Sequence, residues 1–177
     1  MRRTLVVPDI HERWDQLQHI EQEFFPDAGR IVMLGDFWDT FSTEKHPKEL
    51  AEWVKEHLTD GEYCDPRIDI LFGNHCVHYA FRYPSLCCTG YRIETQAIIR
   101  STLTTEDWRK FKLYTTVGKF TVSHAGFHRR SQLASIPSAI DKAFAGKYHP
   151  LWGAGVARGG REKYGGPTWL DWRYEFK

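Results

Sequence analysis

Three short apolar runs, each cut off by polar residues, set the pattern of this chain. They are Leu5-Val6-Val7 before Pro8-Asp9-Ile10-His11, Ile31-Val32-Met33-Leu34 before Gly35-Asp36-Phe37-Trp38-Asp39, and Ile68-Asp69-Ile70-Leu71-Phe72 before Gly73-Asn74-His75. Short apolar runs bounded by turn residues predict buried strands, and Gly35 lets the backbone turn at the carboxyl end of the second. Between the runs the period lengthens. Trp14, Leu17, Ile20 and Phe24 recur at helical spacing within Glu12 to Phe25, and Leu50, Trp53, Val54 and Leu58 do so within Pro47 to Leu58. Pro26 and Gly29 end the first of these helices. Strand, helix, strand, helix, strand is the parallel crossover pattern, so the expected fold class is α/β.

Beyond the third strand, His78 to Gly90 reads as a long irregular region with Arg82, Pro84 and the Cys87-Cys88 pair, a loop of the kind that forms lids or binding surfaces. Phe81, Tyr83 and Tyr91 there either cover the core or stack a planar ligand. Arg92 to Leu103 predicts a helix, and Thr104 or Thr105 with Glu106-Asp107 marks the start of a short one running to Phe111. Lys112 to Val117 and Phe120 to Ser123 flank Gly118-Lys119 as a β-hairpin, with His124-Ala125-Gly126 at its exit. Ser131 to Phe144 reads as a weak helix interrupted by Pro137. Leu151 to Gly166, with Arg158, Arg161 and Lys163, is either a mobile surface loop or a loop that contacts phosphate. The aromatic residues between Trp169 and Phe176 pack as core or sheet edge, or else stack on a substrate. No repeat or linker divides the chain, so residues 1–177 are expected to form one domain.

Charge then narrows the partners. With 24 Lys+Arg against 23 Asp+Glu there is no global field to recruit a polyanion, so nucleic acid is not favoured and a membrane surface is not expected. No apolar run approaches a membrane span, and Met1-Arg2-Arg3-Thr4 enters a strand at once without a signal-peptide pattern, which gives a cytoplasmic expectation. Cys64, Cys76, Cys87 and Cys88 show no CxxC spacing and read as reduced thiols. Cys76 follows His75 directly and has the alternative of a nucleophile, although its neighbours look like metal ligands.

Strand tips of a parallel sheet share the rim where ligands bind. If the three strands are neighbours, Asp9, His11, Asp36, Asp39, Asn74 and His75 converge on it. Carboxylate, carboxamide and imidazole donors without a thiolate suit Mn²⁺, Fe²⁺ or Zn²⁺. Two such ions about 3.5–4 Å apart need an anionic bridge, and Asp36, beside Gly35 at the central tip, is the natural one. Asp9 and His11 grip one ion if the residue between them kinks the strand end. His46, His57, His78, His128 and His149 read as ordinary histidines.

Taken in order, Asp9-x-His11, Gly35-Asp36-x-x-Asp39, Gly73-Asn74-His75 and His124-Ala125-Gly126 resemble the calcineurin-like metallophosphoesterases. The likeness is nearest to the phosphoprotein-phosphatase branch, with the bacterial enzymes that cleave symmetrical diadenosine tetraphosphate. It implies an α/β/β/α sandwich of two mixed sheets flanked by helices, and hydrolysis of a phosphate ester or anhydride by a metal-bridging hydroxide. It also implies two divalent ions, Mn²⁺ ahead of Fe or Zn. Asp9 and His11 would serve the first, Asp36 would bridge, and Asn74 and His124 would serve the second. His75 would be the general acid with Asp39 holding its imidazole, which suits an alkoxide leaving group in need of a proton. The expected substrate is a small phosphate compound or a phosphoprotein.

The chain also departs from that family. The branch usually follows the second aspartate with Arg-Gly, whereas Thr40-Phe41 follows Asp39, and Cys76 stands where an acidic residue usually follows Gly-Asn-His. A phosphate-clamping arginine is thus missing from its place, and Arg82, Arg129 and Arg130 are the candidates to replace it. The family's last motif, Gly-His-Thr or Gly-His-x-His, has no match either. The C-terminus therefore reads as truncated relative to the family, with the second metal site the weaker. The alternative is a degenerate member that binds phosphate or nucleotide without efficient turnover.

Overall fold

The computed structural model describes residues 3–58, 65–81, 88–128 and 135–175. Strands β1 (Arg3–Val7), β2 (Ala28–Met33) and β3 (Ile68–Ile70) form a parallel sheet in the order β1-β2-β3. Val7 pairs with Met33, and Met33 with Ile70, so the three strands end level. Ile31, Val32 and Met33 of the central strand are all buried, as a parallel strand covered on both faces requires. The fold class is α/β, as the alternating pattern predicts.

Helices α1 (Trp14–Phe24) and α2 (Pro47–Leu58) make the two crossovers. α2 has the predicted bounds and buries Leu50, Ala51, Trp53, Val54 and Leu58. In α1 the apolar face ends differently from expectation. Leu17 is buried, Trp14 and Ile20 are partly buried, but Phe24 is 51% exposed and Phe25 takes the core position. The turn closed by Ala28 N–H donating to Phe25 O (3.2 Å) carries Phe25 inward as the chain leaves the helix.

A helix that the pattern missed, α3 (Asn74–Ala80), starts at the β3 tip with Gly73 as its extended N-cap. His78, Tyr79 and Ala80 are therefore helical, and the irregular region begins later; residues 82–87, with Arg82 and Tyr83, lie outside the described residues. Phe81 is buried 4.7 Å from Trp152 by ring centroids, and Tyr91 stacks on Tyr79 at 5.4 Å, so both cover the core. α4 (Ile93–Thr102) and α5 (Thr105–Lys110) follow as predicted. Thr104 and Asp107 form a capping box, which satisfies two orphan N–H groups at once.

β4 (Thr115–Val117) and β5 (Phe120–Val122) pair antiparallel around Gly118, whose φ is +58°. In α6 (Ile136–Phe144) Pro137 sits in the first turn. The proline starts this helix rather than interrupting it, because its missing N–H would have had no partner there. Residues 150–166 are not an open loop. Two 3₁₀ turns, Pro150–Trp152 and Val156–Arg158, and a bridge between Gly155 and Glu162 fold the segment on itself. A Cβ on Gly165 would stand 2.5 Å from Trp169 O, so this backbone packs where only glycine fits. The described chain ends with the short helix α7 (Trp172–Glu175). No described helix is long and apolar enough to cross a membrane.

Candidate metal centre

Because the strands end level, the polar tips share one rim, as predicted for all of the candidates but Asp39, which lies behind it. Backbone hydrogen bonds lock the first tip to the second: Ile10 N and His11 N both donate to Asp36 O (3.0 and 2.9 Å), and Glu12 N donates to Phe37 O (2.8 Å). The chain is forced into the left-handed region here, with φ of 47° at His11, 60° at Glu12, 50° at Asp36 and 71° at Asp39. No other non-glycine residue among the described residues has positive φ. Each such position costs on the order of 1–3 kcal/mol, and strain of this kind gathers where side chains must be aimed. The kink expected at Ile10 thus falls at His11 and Glu12. Gly35, at φ +99°, turns as expected, and a Cβ on it would lie 2.7 Å from Leu71 O.

Asp9, His11, Asp36, Asn74, His75 and His124 line one cavity of about 400 Å³. His11 Nδ1 donates to Trp38 O (3.1 Å) and His124 Nδ1 to Leu34 O (3.0 Å). A carbonyl can only accept, so each neutral imidazole keeps its lone pair on Nε2. His124 Nε2 faces Asp36 Oδ2 at 3.3 Å and Asn74 Oδ1 at 2.9 Å. Lone pairs that converge in this way call for a cation. With the Asn74 amide turned over, its nitrogen instead donates to His124 Nε2 (2.9 Å) and Asp36 Oδ2 (3.2 Å). The carboxamide can therefore satisfy the site alone, or offer its oxygen to an ion.

No protein-family model, curated protein or solved structure matches this chain. What the residues can hold is read from the donors themselves. Donor atoms of His11, Asp36 and His75 lie within 4.8 Å of one another, and so do those of Asp9, Asp36 and His124. Asp36 is common to both groups. Its burial pushes its carboxyl above the usual range, only partly offset by the His124 and His75 imidazoles, and a divalent ion would relieve that. Asp9 stands 3.7 Å from both His11 Nε2 and His124 Nδ1. The neighbouring Asp9 carboxylate raises His11 to about 9, so metal binding here would displace a proton. The donor set fits divalent ions. His128 stacks on Tyr164 (3.8 Å between centroids) and His149 accepts from Leu151 N (3.2 Å), and neither joins these clusters.

Asp39 points away from the ligand cluster and gathers three partners. His75 Nδ1 lies 2.9 Å and His78 Nε2 2.8 Å from Oδ2, and the Tyr79 hydroxyl donates to Oδ1. Cys88 N donates to His78 Nδ1 (2.9 Å), which leaves the proton of a neutral His78 on Nε2, facing Asp39. Burial alone would raise Asp39, but the hydrogen bonds from His75, His78 and Tyr79 outweigh it and hold the carboxyl at about 2. Asp39 N donates to Glu12 Oε1 (3.2 Å), and buried Glu12 pairs with Arg92.

Sequence reasoning placed Asp39 behind His75 but passed over His78, Tyr79, Glu12 and Arg92. A helix starting at Asn74 was the missing signal, because it puts residues 75, 78 and 79 on one face. Cys76 is fully buried and its thiol is pushed up by that burial, which disfavours the accessible thiolate that a nucleophile needs. Arg82, Arg129, Arg130, Cys64 and Cys87 lie outside the described residues.

Proposed function

We propose that this chain is a dinuclear metal-dependent phosphoesterase of the calcineurin-like metallophosphoesterase type. The observation that carries the reading is Asp36, a buried carboxylate that lies within reach of the His11 donor on one side and of the Asp9 and His124 donors on the other, and is faced by imidazole and carboxamide lone pairs. Asp9, His11, Asp36, Asn74 and His124 would hold two divalent ions, with Mn²⁺ the first choice and Fe²⁺ or Zn²⁺ compatible with the same donors. Such ions supply charge neutralisation at the phosphoryl oxygens and an activated water. The parallel sheet and the β4–β5 hairpin are compatible with two layers of the family sandwich.

The chain's own residues do the rest. Asp39 fixes the His75 ring through Nδ1, which leaves Nε2 as the position from which a proton reaches the leaving oxygen. The strained backbone at His11, Asp36 and Asp39 aims these groups before substrate arrives. Asp36→Asn is expected to abolish Mn²⁺-dependent hydrolysis of an aryl phosphate and to lower metal content measured by elemental analysis. Unimpaired turnover in that variant would overturn the proposal. Bound Mn²⁺ with no turnover of phosphomonoesters, phosphodiesters or dinucleoside polyphosphates would leave a phosphate-binding protein instead.

A further inference from the structure

The cavity at the strand tips has a second wall, built from the C-terminal segment by Arg158, Thr168, Trp169 and Trp172. Ala125 N donates to Pro167 O (2.8 Å), which fastens this wall beside His124. Arg158 is anchored at one end only. Its Nε donates to Asp171 Oδ2 (2.8 Å), while Asp171 Oδ1 accepts from the N–H groups of Arg173 and Tyr174 (2.9 and 3.1 Å). Among the described residues its two terminal nitrogens make no hydrogen bond, and the side chain is 49% exposed. A guanidinium held by Nε presents its remaining N–H groups as a rigid fork, the geometry that matches phosphate oxygens.

A further observation points to a ligand. Trp172 is 70% exposed on the cavity wall, steadied by the Arg173 guanidinium 5.8 Å from its ring centroid. An indole left open to water beside a polar cluster is a ready stacking surface.

We propose that this wall binds the substrate: Arg158 clamps the phosphate, and Trp172 stacks a planar aromatic group carried on the ester. The inference rests on the phosphoesterase reading and narrows it to aromatic phosphates, whether aryl esters or nucleotides.

The test is calorimetric binding of non-hydrolysable phosphonates to the full chain in Mn²⁺. The probes are methylphosphonate, phenylphosphonate and the phosphonate analogue of adenosine monophosphate. The wild type is expected to prefer at least one aromatic probe over methylphosphonate. Trp172→Ala should weaken that probe by about tenfold and leave methylphosphonate unchanged, and Trp172→Phe should restore most of the difference. A penalty on the nucleotide probe alone identifies a nucleotide site; one on phenylphosphonate alone identifies an aryl site. Arg158→Ala should weaken all bound probes alike, by about 10- to 100-fold, with Mn²⁺ content intact. The inference is overturned if the wild type shows no aromatic preference or binds none of the probes. It is equally overturned if Trp172→Ala weakens methylphosphonate as much as the aromatic probes. Intact aromatic preference without hydrolysis of the parent esters would remove the phosphoesterase reading and leave the binding wall standing.

Discussion

Asp69 and Asp36 are both buried against the parallel sheet, and the protein answers their charges in opposite ways. Around Asp69, Oδ2 accepts from Arg30 Nε (3.1 Å) and Thr115 Oγ1 (2.9 Å), and Lys112 pairs with Oδ1. Burial alone would raise this carboxyl, but these donors outweigh it and keep it below the usual range. Asp36 accepts the His75 N–H on Oδ1 (2.7 Å), yet lone pairs face its other oxygen and burial leaves it above the usual range. One cluster carries its own cations across the sheet. The other meets its charge only with a backbone N–H and nearby imidazoles and carboxamide, at a cavity, which is the arrangement expected of a candidate ligand site rather than of a structural ion pair.

The strongest way to break this comparison is at Asp36. Asn at that position should abolish turnover and yet raise the melting temperature of the metal-free protein, because it removes a buried charge that its neighbours only partly compensate. A lower metal-free melting temperature, read by calorimetry, would place Asp36 with Asp69 as a structural group. His75→Ala sharpens the site end. Turnover should fall by about 10²–10⁴ with metal content intact, and the loss should shrink for substrates with good leaving groups. Equal losses for aryl and alkyl phosphates would contradict its role as the acid.

Metal titration should show two unequal affinities, because the Asn74 amide, when its nitrogen faces inward, satisfies His124 and Asp36 by itself and so competes with the ion that those residues would hold. Equal affinities would remove that argument. At the structural end, Asp69→Ala should cost about 1–3 kcal/mol in chemical denaturation, less than a fully buried pair because Arg30 and Lys112 are partly exposed. Metal content should not change.

The smallest effect is a pH dependence. The folded Asp69 carboxyl lies below its ordinary value of 3.8, so its stabilisation is complete above that value and is lost as pH falls through the folded one. Asp69→Asn should flatten the acid limb of the stability profile. An unchanged limb would mean that the ion pairs contribute nothing there.

The strands, both crossover helices and the hairpin were legible in the sequence because their signals are local. Period, a turn glycine, or a Thr104–Asp107 cap acts within a few residues. The candidate ligand positions were legible for the same reason, since each sits just past an apolar run. α3 was misjudged because Gly73 is a weaker start signal than a Ser or Asp cap. Phe24 and Phe25 exchanged places because a turn decided between them.

By itself, then, the sequence determined which residues stand at the three strand tips and that their donors suit a hard or borderline cation. Tertiary structure decided the contacts between distant positions. His124 reaches Leu34 across 90 residues, and the His75 N–H reaches Asp36 across 39. The left-handed backbone at His11 and Glu12 is held by their N–H groups donating to Asp36 O and Phe37 O on the neighbouring strand tip. The three partners of Asp39, and the wall of Arg158 and Trp172, likewise follow from packing. A periodic pattern specifies which face of an element is apolar, but not which other element will meet its polar end.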